Sequence, residues 1–421
     1  MPSESSLHCQ VLVVGAGPAG GDLARRLALQ GVDVVLVDRL DDLTRSAFSS
    51  AALPIETMTS LGLPAEVVGS RWREWQLIGP GAATRCWASP HPLGVVLDFG
   101  ALRRWQADQC QRWGARVRLG LHACSSRQEG KRMVTHLRRS DGSTLRVCSD
   151  WTVDASGHER ALLGDPPVTD RRRDGLVRAA GLEWLLRVSP ACWERWADRL
   201  SFCLGSDWVP QGYGWIFPMQ PGVLKLGVCR LVDGQRRQPP LGGLIADLGR
   251  RLLAGGEAAG GAGREPFEVL DRHGGLVRST IRRREPHQRG RLVGLGDAVS
   301  TANLLGGEGI RHALTSSAVL APLLQQALAA PGRSSSEQQP ERAMRDYAPQ
   351  LRRALGWRWS LSGRLARRTW LGLHRPGADD RLDQVLRGLE SRRAEDLSAL
   401  LFGYRFERYG LRAMPYLLGW R

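Results

Sequence analysis

The sequence predicts an α/β fold in three parts, from three features. Residues 11–38 read as strand, glycine-rich turn, helix and strand. Residues 176–280 are rich in short β runs, and residues 341–421 read as helix throughout. With 421 residues, 42% of them hydrophobic, the chain can bury two or three cores, which excludes a disordered polymer.

Taken in order, Val11–Val14 is an apolar β run ending in Gly15-Ala16-Gly17-Pro18-Ala19-Gly20. An amphipathic helix follows, with Leu23, Ala24, Leu27 and Ala28 on one face and Gly31 closing it. Val32–Val37 is the second strand, so the chain begins as a βαβ unit of Rossmann type. Residues 98–113 have a helical pattern. Val117, Leu119 and Leu121 alternate, and Ser140-Asp141-Gly142-Ser143 marks a hairpin turn that leads through Leu145–Val147 to Trp151-Thr152-Val153-Asp154. Leu182–Val188, Ser201–Leu204, Tyr213–Phe217 and Val223–Val228 read as strands of an antiparallel sheet, the last two joined by a turn at Gln220–Val223. Arg291–Leu295 is a further buried strand, and a helix is expected from Glu308 to Ala329. Ala330–Ser336 is the one clear linker. No internal repeat is present.

The net charge is +17, yet among 59 basic residues only Lys131 and Lys225 are lysines. The arginines are dispersed, with short clusters at 171–173, 282–284 and 364–368. They form no basic stripe with interleaved aromatics, so nucleic-acid binding is set aside. Attraction to an anionic substrate tail or a membrane surface stays open, beside the plainer reading of a solvated surface. No run of 18 uncharged apolar residues predicts a spanning helix, and Met1–Gln10 lacks the basic and apolar regions of a signal peptide. Eight cysteines (Cys9, Cys86, Cys110, Cys124, Cys148, Cys192, Cys203 and Cys229) show no metal-like spacing and read as reduced thiols, with no disulfide framework and no metal site. A cytoplasmic protein is expected, with peripheral membrane association and oligomeric state left open.

Three segments carry the chemistry. In the G-x-G-x-x-G turn, Gly15 permits the tight bend, Gly17 lets backbone approach a pyrophosphate and Gly20 lets helix and strand pack closely. Pro18 and Ala19 open the helix whose N-terminus attracts phosphate. Asp38, with Arg39 beside it, lies 18 positions past Gly20 and is placed for a ribose hydroxyl. This pattern alone does not separate FAD from NAD. Asp154-Ala155-Ser156-Gly157 ends a second strand, where a carboxylate can meet ribityl hydroxyls. Gly296-Asp297 ends a third, followed by Gly306, Gly307, Glu308, Gly309 and Ile310 opening a helix whose N–H groups suit the N1/O2 edge of a reduced flavin.

On these motifs the sequence resembles two-dinucleotide-binding-motif flavoproteins of the p-hydroxybenzoate hydroxylase fold, and within them the geranylgeranyl reductase group. The resemblance spans residues 8 to about 330. It is also carried by Tyr213-Gly214-Trp215-Ile216-Phe217-Pro218, then eight residues, then Gly227-Val228-Cys229, similar to that group's pocket motif with Cys229 in place of its last glycine. The resemblance implies an FAD-binding domain at 1–175 and 281–332, a β-rich substrate domain at 176–280 that residues 72–97 are candidates to join, and a helical C-terminal region at 341–421. The group's arginine ahead of the second long helix falls at Phe99, with Arg103 or Arg104 as the substitute. Its Cys-Gly-rich turn is replaced by Ser46–Ala52, which has no cysteine.

The implied activity is NAD(P)H-driven reduction of a hydrophobic, isoprenoid-like small molecule by FAD. Tyr213, Trp215 and Phe217 would line the pocket, and Gly227 would leave room beside them. Alternating aromatics on a strand also pack ordinary cores. The alternative function is a flavin-dependent aromatic-ring monooxygenase, and a non-catalytic FAD-binding protein is a weaker one. A halogenase is disfavoured because no lysine stands between Met1 and Gly130. No general acid or base stands out, and His91, His287 and His312 belong to no nucleophile or metal constellation. Trp357, Trp359 and Trp370 among the C-terminal arginines read as a packed cap in preference to a lipid-facing surface.

Overall fold

The computed structural model describes residues 5–45, 49–166, 175–253, 267–282, 284–329, 341, 344–374 and 376–407. The expected linker at 330–336, the arginine cluster at 171–173 and residues 408–421 of the helical stretch lie outside them. The first elements are β1 (Ser5–Val14), α1 (Pro18–Leu29), β2 (Val34–Val37), β3 (Ala52–Pro54), α2 (Glu56–Ser60), β4 (Val68–Trp72), β5 (Glu74–Ile78), β6 (Thr84–Ala88) and β7 (Gly94–Leu97). Then come α3 (Phe99–Arg112), β8 (Arg116–Arg118), β9 (Leu121–Glu129), β10 (Arg132–Arg139), β11 (Thr144–Asp154), β12 (Leu176–Val188), α4 (Pro190–Trp196), β13 (Arg199–Leu204), β14 (Gly212–Pro218) and β15 (Val223–Leu231). The chain continues with α5 (Leu241–Leu253), β16 (Phe267–Thr280), β17 (Gln288–Arg289), β18 (Leu292–Gly294), α6 (Ile310–Ala329), α7 (Tyr347–Gly372), α8 (Pro376–Arg387) and α9 (Ala394–Leu401).

An eight-stranded sheet runs β17-β18-β11-β1-β2-β8, with the β9–β10 hairpin continuing from β11. β18, β11, β1, β2 and β8 are parallel neighbours. Val11–Val14 and Val34–Val37 are buried throughout, which is why they read as continuous apolar runs: helices α1 and α6 cover one face of the sheet and the hairpin strands pack on the other. β1 starts well before Val11 because it pairs with β11 from Ser5 onward, polar residues included. Asp98 caps α3, its Oδ1 accepting from the Ala101 N–H at 2.9 Å.

The second sheet runs β16-β12-β15-β14-β13-β5-β6. It is antiparallel at every step except β13–β5, which is parallel. That exception brings a segment from before α3 into the sheet, so β5 and β6 extend it although they lie far from 176–280 in sequence. A three-stranded sheet, β3-β7-β4, stands beside it.

The C-terminal helices close over both. The indole N–H of Trp75 donates to Ser398 Oγ at 2.9 Å and that of Trp87 to the Leu389 carbonyl at 3.0 Å. Arg85 reaches both Asp383 and Glu390. α7 is broken at Gly356, whose φ of 76° suits glycine. Trp359 and Trp370 of this helix are buried, whereas its Trp357 is 64% exposed under the Arg358 guanidinium. No described helix is long and apolar enough to cross a membrane.

Candidate functional site

The three glycine motifs meet at the carboxyl ends of β1, β11 and β18, where doubly wound sheets hold their ligands. A methyl group at Gly15, whose φ is 109°, would strike the Ala155 carbonyl, and one at Gly20 would strike the Gly15 carbonyl. A methyl at Gly296 would stand 2.7 Å from Ala19 Cβ. Turn, second strand end and third strand end are therefore one packed unit. Gly17 and Gly306 differ, since nothing lies within 4 Å of where their Cβ would be. These two glycines border open space.

Gly17 is the N-cap of α1 without any side-chain capping bond, Pro18 follows, and no acidic residue sits in the first turn. The amide groups and positive dipole end of the helix are left for an anion. Asp38 Oδ2 accepts from the Ala16 N–H at 2.7 Å and Oδ1 from that of Leu40 at 2.9 Å, so it ties the turn and keeps lone pairs to spare. Arg39 pairs with Glu159 at 2.6 Å on the surface. Arg103, buried on α3, donates to the Arg45 carbonyl at 2.6 Å and stacks on Phe99. Its Nε has no partner among the described residues.

Asp154 is a correction to the sequence reading. Its carboxylate accepts from the Ser156 N–H and Oγ, at 3.1 and 2.5 Å, and from the Leu162 and Leu163 N–H groups at 2.9 and 2.8 Å. Four donors fill a carboxylate's four lone-pair positions. Fully buried, it organises its own loop and leaves no oxygen for a ribityl hydroxyl. Gly157, with φ of 74°, permits that loop's bend. Asp297 accepts from the Thr301 hydroxyl at 3.2 Å. Burial pushes its carboxyl up to about 6, against the hydrogen bonds from Thr301 and Ala302.

Beyond Asp297 the chain turns through 301–309 into α6, which starts at Ile310 and not at Glu308. Glu308 instead closes a bridge with Asn303 and buries its carboxylate against the Arg311 guanidinium, the Tyr404 hydroxyl at 2.6 Å and His312 at 3.4 Å. Burial alone would push this carboxyl up; Arg311 and His312 outweigh it and hold it at about 2. The turn is gripped from above as well: the indole N–H of Trp359 donates to the Thr301 carbonyl and that of Trp370 to the Leu304 carbonyl, while Asn303 reaches the Trp359 carbonyl at 3.2 Å. Sequence reading missed this clamp. The buried tryptophans 359 and 370 are its only sequence signal.

Tyr213, Trp215 and Phe217 do share one face of β14, and Tyr213 reaches this turn at Gly307. A small apolar cavity lies there, bordered by Ala179, Tyr213, Cys229, Leu304, Gly307 and Trp370. Trp215 and Phe217 do not border it. The Trp215 ring lies over Gly227, where an added methyl would collide with it, and its N–H donates to buried Glu183 at 3.2 Å. Gly227 thus makes room for Trp215, not for a ligand, which corrects the expectation at that position. Truncating Trp215 to alanine should cost about 3–5 kcal/mol of stability, the range for a buried indole, read as a lower urea midpoint with unchanged slope. A variant as stable as the parent would restore Trp215 to a pocket.

Glu183 Oε1 has no partner among the described residues. Burial raises its carboxyl, opposed by Lys225, and burial lowers Lys225, whose ammonium donates to the Ser49 and Leu97 carbonyls at 2.9 and 3.2 Å. Among the described residues no cluster of His, Cys, Asp and Glu could hold a metal ion.

Known proteins share the fold and its first motif. Residues 8–70 match the family model described as an FAD binding domain. The digeranylgeranylglycerophospholipid reductase of Haloferax volcanii is 28% identical over 333 residues, 77% of this chain and 78% of that one. The menaquinone reductase of Mycolicibacterium smegmatis is 27% identical over 337 residues, 75% of this chain and 76% of that one. A crystal structure of a geranylgeranyl bacteriochlorophyll reductase-like protein from Thermoplasma acidophilum superposes with a TM-score of 0.77 at 18% identity, covering 98% of this chain and all of that one. The chain is an FAD-dependent oxidoreductase. Its likeness within that class is to the geranylgeranyl reductases, as its motifs imply.

Proposed function

We propose that the protein uses FAD, reduced by NADPH or NADH, to saturate carbon–carbon double bonds of a hydrophobic isoprenoid-like substrate. The carrying observation is the meeting of the Gly15–Gly20 turn, with open space at Gly17, and the Gly296–Gly309 segment, with open space at Gly306, in a chain whose relatives are named as reductases of geranylgeranyl-bearing lipids and of menaquinone. Gly15, Gly17, Pro18, Ala19 and Gly20 would hold the pyrophosphate, with Asp38 on the ribose and Arg39 and Arg103 beside the ADP half. Gly296, Asp297, Gly306, Gly307, Gly309 and Ile310 would hold the ring end. The open space at Gly17 and Gly306 fits that cofactor.

When bound, the flavin supplies two-electron transfer at its ring. The protein's own part is to position and to exclude water. The uncapped N-terminus of α1 presents amides to negative charge, the C-terminal helices roof the ring-side turn, and Tyr213 with Trp370 keeps the cavity apolar. Asp297→Ala should weaken FAD by about 1.5–3 kcal/mol, as for one hydrogen bond to a charged group, read by titrating apoprotein with FAD; parent-like affinity would remove Asp297 from the site.

The reading is tested by adding NADPH or NADH to the yellow protein without oxygen. Bleaching by either supports it. Bleaching followed by consumption of oxygen coupled to an aromatic acceptor would turn the assignment to the monooxygenase, and the absence of bleaching with both nucleotides would remove the nicotinamide donor.

A further inference from the structure

The Tyr213 hydroxyl lies unpartnered among the described residues, in a packed aromatic setting. Tyr213 is 6% exposed, packed between Phe202, Trp215 and Trp370 with ring centroids 5.2–6.0 Å away. Its hydroxyl makes no hydrogen bond among the described residues, although Trp75, Trp87, Trp208, Trp215, Trp359 and Trp370 each donate to an oxygen. The same tyrosine would pack equally well as phenylalanine, and its oxygen keeps a little open surface at the cavity wall. The hydroxyl is therefore free to meet a partner that is not a protein atom.

Its direction shows where that partner lies. The oxygen touches Gly307, where a methyl group would collide with it and where φ is 66°. One residue earlier, Gly306 borders open space. The hydroxyl thus sits at the rim of the ring-side turn and at the wall of the cavity at once. Burial, reinforced by the neighbouring Cys229 thiol, raises its pKa well above the ordinary tyrosine value, so the proton stays on oxygen and the group is a donor at every working pH.

We propose that Tyr213 is a cofactor contact, its hydroxyl donating a hydrogen bond to the pyrimidine edge of the bound flavin from the sheet side of the Gly306–Gly307 turn. This rests on the FAD site proposed above and changes the role of Tyr213 from substrate wall to cofactor ligand. A donor at that edge stabilises the negative charge that the ring gains on reduction, so it favours the reduced over the oxidised cofactor and raises the midpoint potential.

The test is the flavin midpoint potential of the full chain carrying FAD, measured by dithionite titration beside a reference dye, in the parent, in Tyr213→Phe and in the packing control Phe202→Leu. Removing an unpartnered hydroxyl strands no protein group, so Tyr213→Phe is expected to fold and to keep stoichiometric FAD. It should bind reduced FAD about tenfold less tightly relative to oxidised FAD, which for a two-electron couple lowers the potential by about 30 mV. Phe202→Leu should leave the potential where it is. A Tyr213→Phe potential equal to the parent's, or an equal shift in both variants, would overturn the contact while leaving the FAD site standing. A parent chain that takes up no FAD would overturn both.

Discussion

Gly17→Val should give a folded, colourless protein. Nothing within 4 Å of Gly17 resists a side chain, and its φ of −74° is open to any residue, so valine fits the apoprotein. It would, however, occupy the approach to the α1 N-terminus where a pyrophosphate must lie against backbone. FAD content should fall from about one per chain to none detectable, while the thermal midpoint of the apoprotein stays near the parent's. Gly20→Ala should do the reverse of this selectivity, because its methyl would strike the Gly15 carbonyl and Ala155 Cβ and overpack the βαβ unit. A Gly17→Val protein with stoichiometric FAD would remove the turn from the cofactor site.

Glu308→Ala should destabilise the whole chain by about 3 kcal/mol, because it leaves the half-buried Arg311 charge and the buried Tyr404 hydroxyl without their acceptor. The pH dependence follows from the same carboxylate. Its pKa in the folded protein, about 2, lies below the ordinary 4.5. A depressed acid stabilises the fold above its unfolded pKa and loses that contribution as pH falls through the folded one. Glu308 therefore supplies about 3 kcal/mol at neutral pH, lost between pH 4.5 and 2. Urea midpoints of parent and Glu308→Ala should converge across that window. Parallel curves down to pH 2 would show that the carboxylate is not ionised in the folded chain.

The parts of this site that were legible in the sequence are those coded by short spacing. Val11 to Asp38 is a strand, a turn, a helix and a strand in one run, and Tyr213, Trp215 and Phe217 share a face because strand side chains alternate. What stayed hidden depends on distant partners. The β13–β5 pairing joins Arg199 to Glu74. Glu308 meets Tyr404 from 96 residues away, and although its counter-ion Arg311 is only three residues on, no local pattern announces the phenol that completes its site. Asp154 misled for the opposite reason: a carboxylate at a strand end looks the same in sequence whether it faces a ligand or its own loop, and only its four donors decide. Gly227 misled likewise, since an absent side chain leaves room for whichever neighbour arrives first, here the Trp215 ring.

The central claim, that the protein saturates isoprenoid double bonds with electrons from FAD, is tested most directly by one anaerobic turnover. Dithionite-reduced protein is mixed with menaquinol, whose ring is already reduced, or with a geranylgeranyl-bearing glycerophospholipid, and the extracted lipid is weighed by mass spectrometry. The account predicts a gain of two hydrogens per double bond reduced, with return of the yellow colour in step and none of either from the Gly17→Val protein. Reduced protein that stays bleached with both lipids, and regains colour only when oxygen is admitted, would contradict it.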